Sequence, residues 1–134
     1  MVHRFTVQTH RQGLHEITAE IERLVEESGI DQGLCTVFIQ HTSASLTIQE
    51  NADPSAKHDL EQWLNRHVPE KDPHFTHTAE GPDDMPSHIK SALTATSLGI
   101  PISGERLMLG TWQGIYIWEH RKRGHQRSIA VHIG

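Results

Sequence analysis

The sequence predicts one α+β domain in which a mixed or antiparallel sheet packs against three helices. Three observations support this class. Apolar residues alternate near the N-terminus, recur at helical spacing in three internal segments, and form strand-like runs over the last third of the chain. The predicted order of elements is β-α-β-β-α-α-β-β-β, within a single domain spanning residues 1–134. A chain of this length can bury a substantial core.

The first half of the chain is predicted to contain a strand, a helix and two further strands. Residues 4–9 alternate between apolar and polar side chains, which is typical of a half-buried strand. From Glu16 the apolar spacing becomes that of an amphipathic helix, and Gly29 is suited to end it. Apolar runs at residues 33–39 and 44–49 predict the next two strands.

A second helix follows at Asp53, where an N-cap residue precedes a proline. Its predicted inner face includes Trp63 and Leu64, and Pro69 ends it. Residues 70–84 are polar and have no period, and segments of that length are often functional or disordered.

The third helix is predicted to begin at Asp84 or Met85, with Ile89, Ala92 and Leu93 on its inner face. The remaining candidate strands are residues 100–102, 106–109, 114–120 and 127–133. Both faces of residues 115–118 are apolar, so we expect the core to cover one face and a helix or a neighbouring subunit to cover the other.

Composition excludes several classes of protein. The formal net charge is −5, which argues against nucleic acid or an anionic membrane as a partner. The single cysteine, Cys35, lies in an apolar strand-like run and is expected to be a buried thiol in a reducing compartment. No apolar run approaches the length of a membrane span and the N-terminus has no signal-peptide core, so we expect a cytoplasmic protein.

Three of the twelve histidines stand out. His41, His77 and His88 lie at the ends of elements or in the long polar segment, beside carboxylates and small residues. Three imidazoles with an open fourth position suit Zn²⁺ or a similar divalent ion. The alternative is that they are three unrelated polar histidines. The role of His120, next to Glu119, stays open.

Two further segments are candidates for ligand binding. Near the start of the third helix, the free backbone N–H groups could hold a phosphate, assisted by Ser87, while Asp84 is interpreted as a partner of the helix dipole rather than a ligand. The glycine-bounded turn at residues 110–114 carries Trp112 and Gln113. It is predicted either to line a pocket or to form a bulge with Trp112 in the core.

Four motifs in this order resemble the YjbQ-like family, also called the secondary thiamine-phosphate synthase family. They are His-Thr-Ser-Ala-Ser-Leu at 41–46, Glu-Asn-Ala-Asp-Pro at 50–54, the Glu-Gly … His-Ile-Lys segment at 80–90, and Gly-Thr-Trp-Gln-Gly-Ile at 110–115. The segment between Glu80 and His88 departs from the shorter version in part of the family.

The resemblance implies a trimer with sites near the subunit contacts and a metal bound by histidines. His41, His77 and His88 match histidines of the family pattern, and Glu50, Asn51 and Asp53 match its acidic cluster. The implied activity is weak thiamine-phosphate synthesis, in which a pyrimidine diphosphate joins a thiazole phosphate and diphosphate leaves.

We therefore predict a metal-binding enzyme that acts on a small phosphorylated metabolite, with Zn²⁺ as the first choice of metal and Mg²⁺ as the alternative for diphosphate. The alternatives are a metal-dependent phosphate-ester hydrolase and a non-catalytic trimeric binding protein. The predicted site residues are His41, His77 and His88 for the metal; His88, Glu50, Asn51 and Ser87 for catalysis; and Lys90, Trp112 and Gln113 for ligand contact.

Overall fold

Eight strands and three helices make up the computed structural model, which describes residues 1–134 throughout. The elements are β1 Val2–Gln8, β2 Gly13–Glu16, α1 Thr18–Ser28, β3 Gln32–Ile39, β4 Ala44–Glu50, α2 Pro54–His67, α3 Asp84–Leu93, β5 Ser97–Ser103, β6 Arg106–Leu107, β7 Gln113–Glu119 and β8 Gln126–Ile133.

The strands form two sheets in which every pairing is antiparallel. One sheet has five strands in the order β1-β8-β3-β5-β6, and the other has three in the order β2-β7-β4. The predicted α+β class with three helices is confirmed. No helix combines the length and apolar character needed to cross a membrane.

The predicted order has six strands and the structure has eight, because that order lacked β2 and counted only three of the four candidate strands after α3. The first helix was expected to begin at Glu16, but residues 13–16 form β2 and pair with β7, with Leu14 opposite Trp118. The strand has only four residues, too few for a period to emerge from the sequence. Because β2 occupies these residues, α1 begins at Thr18.

The central strand β7 is buried on both faces, as its apolar sequence predicted. Ile115 and Ile117 belong to the main core of 15 buried residues, which also includes side chains of α1 and of the five-stranded sheet. Tyr116 and Trp118 pack on the other side with Leu64 of α2 in a second, smaller cluster. A helix of the same chain therefore covers the second face of β7.

Three of the residues predicted to face inward are exposed instead, and Ala92 of α3 is one of them. Trp63 of α2 is 53% exposed and stacks on His67 at a ring-centroid distance of 4.0 Å, and Leu93 of α3 is 66% exposed. The buried residues of α3 are instead mainly polar: Asp84, Pro86, Ser87, Lys90 and Ser91. The spacing of apolar residues alone cannot predict the buried face of a helix when that face is polar.

A buried ion pair joins the two sheets. Arg127 of β8 binds Glu119 of β7 through both guanidinium Nε, at 2.8 Å, and Nη2, and Thr9 Oγ1 donates to the same carboxylate at 2.6 Å. Burial acts to raise the pKa of Glu119, but the Arg127 and Thr9 contacts outweigh it and lower that pKa. Arg127 also donates to the carbonyl of Ser43 at 3.2 Å, which fixes the segment between β3 and β4.

Candidate functional site

The candidate site is centred on the carboxylate of Asp84, at the start of α3. Its Oδ2 lies 2.6 Å from His77 Nε2 and 3.1 Å from His88 Nε2. The three potential ligand atoms all lie within 4.8 Å of one another. Asp84 is buried, whereas the side chains of His77 and His88 are 45% and 32% exposed, so the group is open on one side.

Three local features bring these side chains together. Asp84 and His88 are four residues apart on α3 and therefore share one face of the helix. His77 comes from the polar segment between α2 and α3. The ring of His88 is fixed from behind, because its Nδ1 lies 3.0 Å from the carbonyl oxygen of Thr42.

The contact with Thr42 shows that Nδ1 is a nitrogen of His88 that carries a proton. A carbonyl oxygen only accepts, so Nδ1 of His88 must carry a proton. In a neutral ring, Nε2 would then present a bare lone pair to the Asp84 carboxylate at 3.1 Å, which is electrostatically unfavourable. The contact becomes favourable if the ring is an imidazolium or if a cation lies between the histidines and the carboxylate. A backbone carbonyl on the remote nitrogen is also the usual support of a metal-ligating histidine.

Arg121 holds the opposite side of the carboxylate. Its Nη1 donates to Asp84 Oδ1 at 2.8 Å, its Nε donates to Asp83 Oδ2 at 3.0 Å, and its Nη2 donates to the carbonyl of Glu80 at 3.0 Å. Burial acts to raise the pKa of Asp84, but the hydrogen bond with His77 and the charges of His88 and Arg121 lower it. Asp84 is thus an ionised carboxylate with Oδ2 directed at two imidazoles.

His41 does not join this group. Its Nε2 accepts the backbone N–H of Ser128 at 2.7 Å, and its Nδ1 lies 3.3 Å from Arg127 Nη1. Burial and the charge of Arg127 lower the pKa of His41. Of the three histidines predicted to converge, the structure brings together only His77 and His88. The third member of the group is Asp84 rather than His41.

Ser87 and Lys90 also point away from the group. The Ser87 hydroxyl is buried and donates to the carbonyl of Asp83 at 2.6 Å. Lys90 is two residues beyond His88, about 200° further around the helix axis, and its Nζ donates to Asn65 Oδ1 at 2.7 Å.

The acidic cluster of Glu50, Asn51 and Asp53 lies at the far end of β4, away from the histidines. In the register of β4 and β7, Ala44 pairs with Glu119 and Glu50 pairs with Gln113. The seven residues of β4 span roughly 20 Å, so within one chain the structure does not bring Glu50 to the histidines. Asp53 caps α2 as predicted, by accepting the backbone N–H of Ser55 at 2.9 Å.

Asn51 and Gln113 instead line an open cavity of about 670 Å³ between α1, β6 and the residues on either side of β6. The Asn51 amide donates to Glu16 at 3.3 Å, and Gln113 Oε1 accepts the backbone N–H of Gly110 at 2.7 Å. Trp112 is 62% exposed, so the alternative that placed it in the core is wrong.

Comparison with known proteins identifies the family. Residues 3–134 match the family described as UPF0047 protein YjbQ-like. This chain belongs to the YjbQ-like family. It is 53% identical over 127 residues to UPF0047 protein sll1880 of Synechocystis sp., covering 95% of this chain and 86% of that protein. It is 45% identical over 125 residues to YjbQ of Escherichia coli O157:H7, covering 92% and 90%.

Solved structures agree with the fold. A YjbQ/UPF0047 protein of Clostridium acetobutylicum is 35% identical and superimposes with a TM-score of 0.90, covering 98% of each chain. A protein of unknown function from Sulfolobus solfataricus is 25% identical, with a TM-score of 0.89 over 99% of this chain and 95% of that one.

Asp84 is the member of this group that was not among the predicted site residues. Its spacing of four residues from His88 was visible, since an aspartate and a histidine at that separation share a helix face. Its position at the start of the helix led instead to its interpretation as a partner of the helix dipole. In this member of the YjbQ-like family, that carboxylate instead contacts both histidines.

His120, whose role was left open, is a buried neutral histidine. It is 1% exposed, and its Nε2 lies 2.8 Å from Ser45 Oγ. Burial, with added repulsion from Lys90 and Arg127, lowers its pKa from 6.5 to about 3.

The pKa of His120 predicts a loss of stability in acid. Below pH 6.5 the unfolded chain takes up a proton at this ring, whereas the folded chain does not until about pH 3. The free energy of unfolding should therefore fall with decreasing pH in this window, by up to about 1.4 kcal/mol per pH unit from this group. Urea unfolding from pH 7 to pH 4 should show a shallower dependence for His120→Gln than for the wild type. The exposed His10→Gln is the control, and equal slopes for wild type and His120→Gln would contradict the assignment.

Proposed function

We propose that this YjbQ-like protein binds a divalent metal ion through His77, Asp84 and His88, and that it acts there on a small phosphorylated metabolite. The observation that carries the proposal is the convergence of two imidazoles and one carboxylate, whose potential ligand atoms all lie within 4.8 Å of one another. Two imidazoles and a carboxylate are a ligand set that favours Zn²⁺, whereas Mg²⁺ prefers oxygen ligands throughout.

The partly exposed side of the group supports a catalytic role. A metal held there would supply Lewis acidity to a phosphate oxygen. The chain's own residues would do the positioning: Arg121 holds Asp84, and the Thr42 carbonyl fixes the His88 ring. Preorganised ligands of this kind lose little freedom when substrate binds.

For the reaction, we propose weak thiamine-phosphate synthesis from the family resemblance. The same ligands suit hydrolysis of a phosphate ester, and they also suit binding without turnover. These alternatives differ in products, so an assay separates them.

Removing either histidine should reduce metal binding. We expect the purified wild type to retain about one Zn²⁺ per chain, and we expect His77→Ala and His88→Ala each to weaken Zn²⁺ affinity by at least about tenfold, because a three-ligand site loses one ligand. Zinc content by mass spectrometry after dialysis against a competing chelator measures this. His58→Ala, at an exposed histidine of α2, is the matched control and should keep its metal. Unchanged zinc in His88→Ala would exclude the site.

The same variants test catalysis. Activity with a pyrimidine diphosphate and a thiazole phosphate, or with a panel of phosphate esters, should disappear in metal-stripped protein and in His88→Ala, and it should return when Zn²⁺ is added to stripped wild type. Turnover that persists in both the metal-stripped protein and His88→Ala would contradict the proposed metal-dependent activity. Metal binding with no turnover would favour the binding-protein alternative.

We also propose that the chain forms a homotrimer, as the resemblance implies. An apolar patch on the outer face of the five-stranded sheet supports a subunit interface: Leu34 and Phe38 are each 45% exposed on β3. In the sheet register they lie opposite Pro101 and Ala130. Large apolar side chains exposed at the middle of a sheet are typical of a surface that another chain covers.

A charge in this patch should break the assembly. We expect wild-type protein to have three times the chain mass of 15.2 kDa in light scattering. Phe38→Lys should shift it to a single chain at micromolar concentration, because a buried lysine would lack a partner. Trp63→Lys, at an aromatic residue of α2 that is 53% exposed, should remain trimeric. A wild type that runs as a monomer would contradict the proposal.

A further inference from the structure

A second cavity, of about 130 Å³, lies between α2, α3 and the end of β7. It is separate from the histidine group, because the α3 residue that lines it is Lys90, on the side of the helix away from His88. Its lining is almost entirely polar and includes Arg11, Gln12, Asn65, Lys90, Trp118 and His120.

Lys90 is a buried cation without an acidic partner. It is 4% exposed, and the only hydrogen bond of its ammonium goes to Asn65 Oδ1 at 2.7 Å. An ammonium group has three donors, so two remain free. No carboxylate lies within 4.0 Å of Nζ, and nearby Glu70 is paired with Lys122 at 2.8 Å. Buried charges in proteins are normally paired, because burying one alone is costly.

The one carboxylate that lines the cavity is already engaged. Glu61 Oε2 accepts the backbone N–H of Leu14 at 2.7 Å and lies 3.5 Å from Arg11 Nη1. With Arg11 and Lys90 as cations and Glu61 as the anion, and with His120 neutral, the lining carries one net positive charge.

The other walls are compatible with a small anion. Gln12 is held in place by its amide, which donates to the His120 carbonyl at 2.8 Å. The only hydrogen bond of the His120 ring is at Nε2, to Ser45. Trp118 supplies an apolar wall and is 9% exposed.

From this cavity we infer a second binding site, in which Lys90 is the counter-ion for the phosphate group of a small metabolite. A volume of 130 Å³ is that of about four water molecules, which suits a phosphate group and little more. Two free ammonium donors match the acceptor-rich oxygens of a phosphate. The inference goes beyond the proposed metal site and does not depend on it.

Trp118 provides a direct readout. Trp63 and Trp112 are exposed, so Trp63→Phe with Trp112→Phe leaves Trp118 as the sole tryptophan without disturbing the core. Titration of this protein with inorganic phosphate at constant ionic strength should give a saturable change in Trp118 emission. Chloride at the same ionic strength should give none.

Two variants in this background test the role of Lys90. Lys90→Met keeps the apolar stem and should weaken phosphate binding at least tenfold. Asn65→Asp supplies the carboxylate that the lysine lacks, so it should abolish the response and raise the melting temperature. His77→Ala with His88→Ala should leave the response unchanged, which separates this site from the metal group. No saturable response in the single-tryptophan protein, or an equal response in Lys90→Met, would overturn the inference, as would an unchanged response in Asn65→Asp.

Discussion

The contact between Arg121 and Asp84 is the interaction on which the candidate site depends. Asp84 uses one oxygen for the guanidinium and the other for His77 and His88. It thereby joins three segments that are distant in sequence: the long polar segment, the start of α3 and the turn after β7. Without Arg121, the carboxylate would lose one of the contacts that lower its pKa against the effect of burial, and Oδ1 would lose its hydrogen-bond donor.

Arg121 also links the site to the junction of the sheets. Its backbone N–H donates to Glu119 Oε2 at 3.2 Å, and Glu119 forms the buried pair with Arg127. Arg127 in turn contacts His41 and the Ser43 carbonyl. Breaking such a pair by removing one partner typically costs about 3–5 kcal/mol. His41 therefore belongs to this supporting network and sits next to Thr42, whose carbonyl orients His88.

The sequence was sufficient to predict the features that depend on local pattern. The capped start of α2 at Asp53, the start of α3 and the double burial of β7 all follow from residue types at fixed spacing, and His77 and His88 do meet. Local spacing did not predict which residues lie near each other in the folded sheet. Glu50 follows His41 closely in the chain, yet an extended β4 carries it to the opposite end of the sheet.

The polar inner face of α3 explains the other misses. Leu93 was placed inside because apolar residues usually are, but Asp84, Ser87 and Lys90 take that face, each with a hydrogen-bond partner. A buried polar residue is stable only if its partners are present. The partners of Asp84 and Lys90, which are Arg121 and Asn65, come from elements that no local pattern connects to α3.

Anomalous X-ray diffraction from zinc-grown crystals, recorded on both sides of the zinc edge, tests the central claim most directly. The account predicts one strong peak per chain at about 2.0–2.2 Å from His77 Nε2, His88 Nε2 and an Asp84 oxygen. A refined structure with no peak there, in which His88 remains in direct contact with Asp84, would show that the group is an ion pair and would contradict the account.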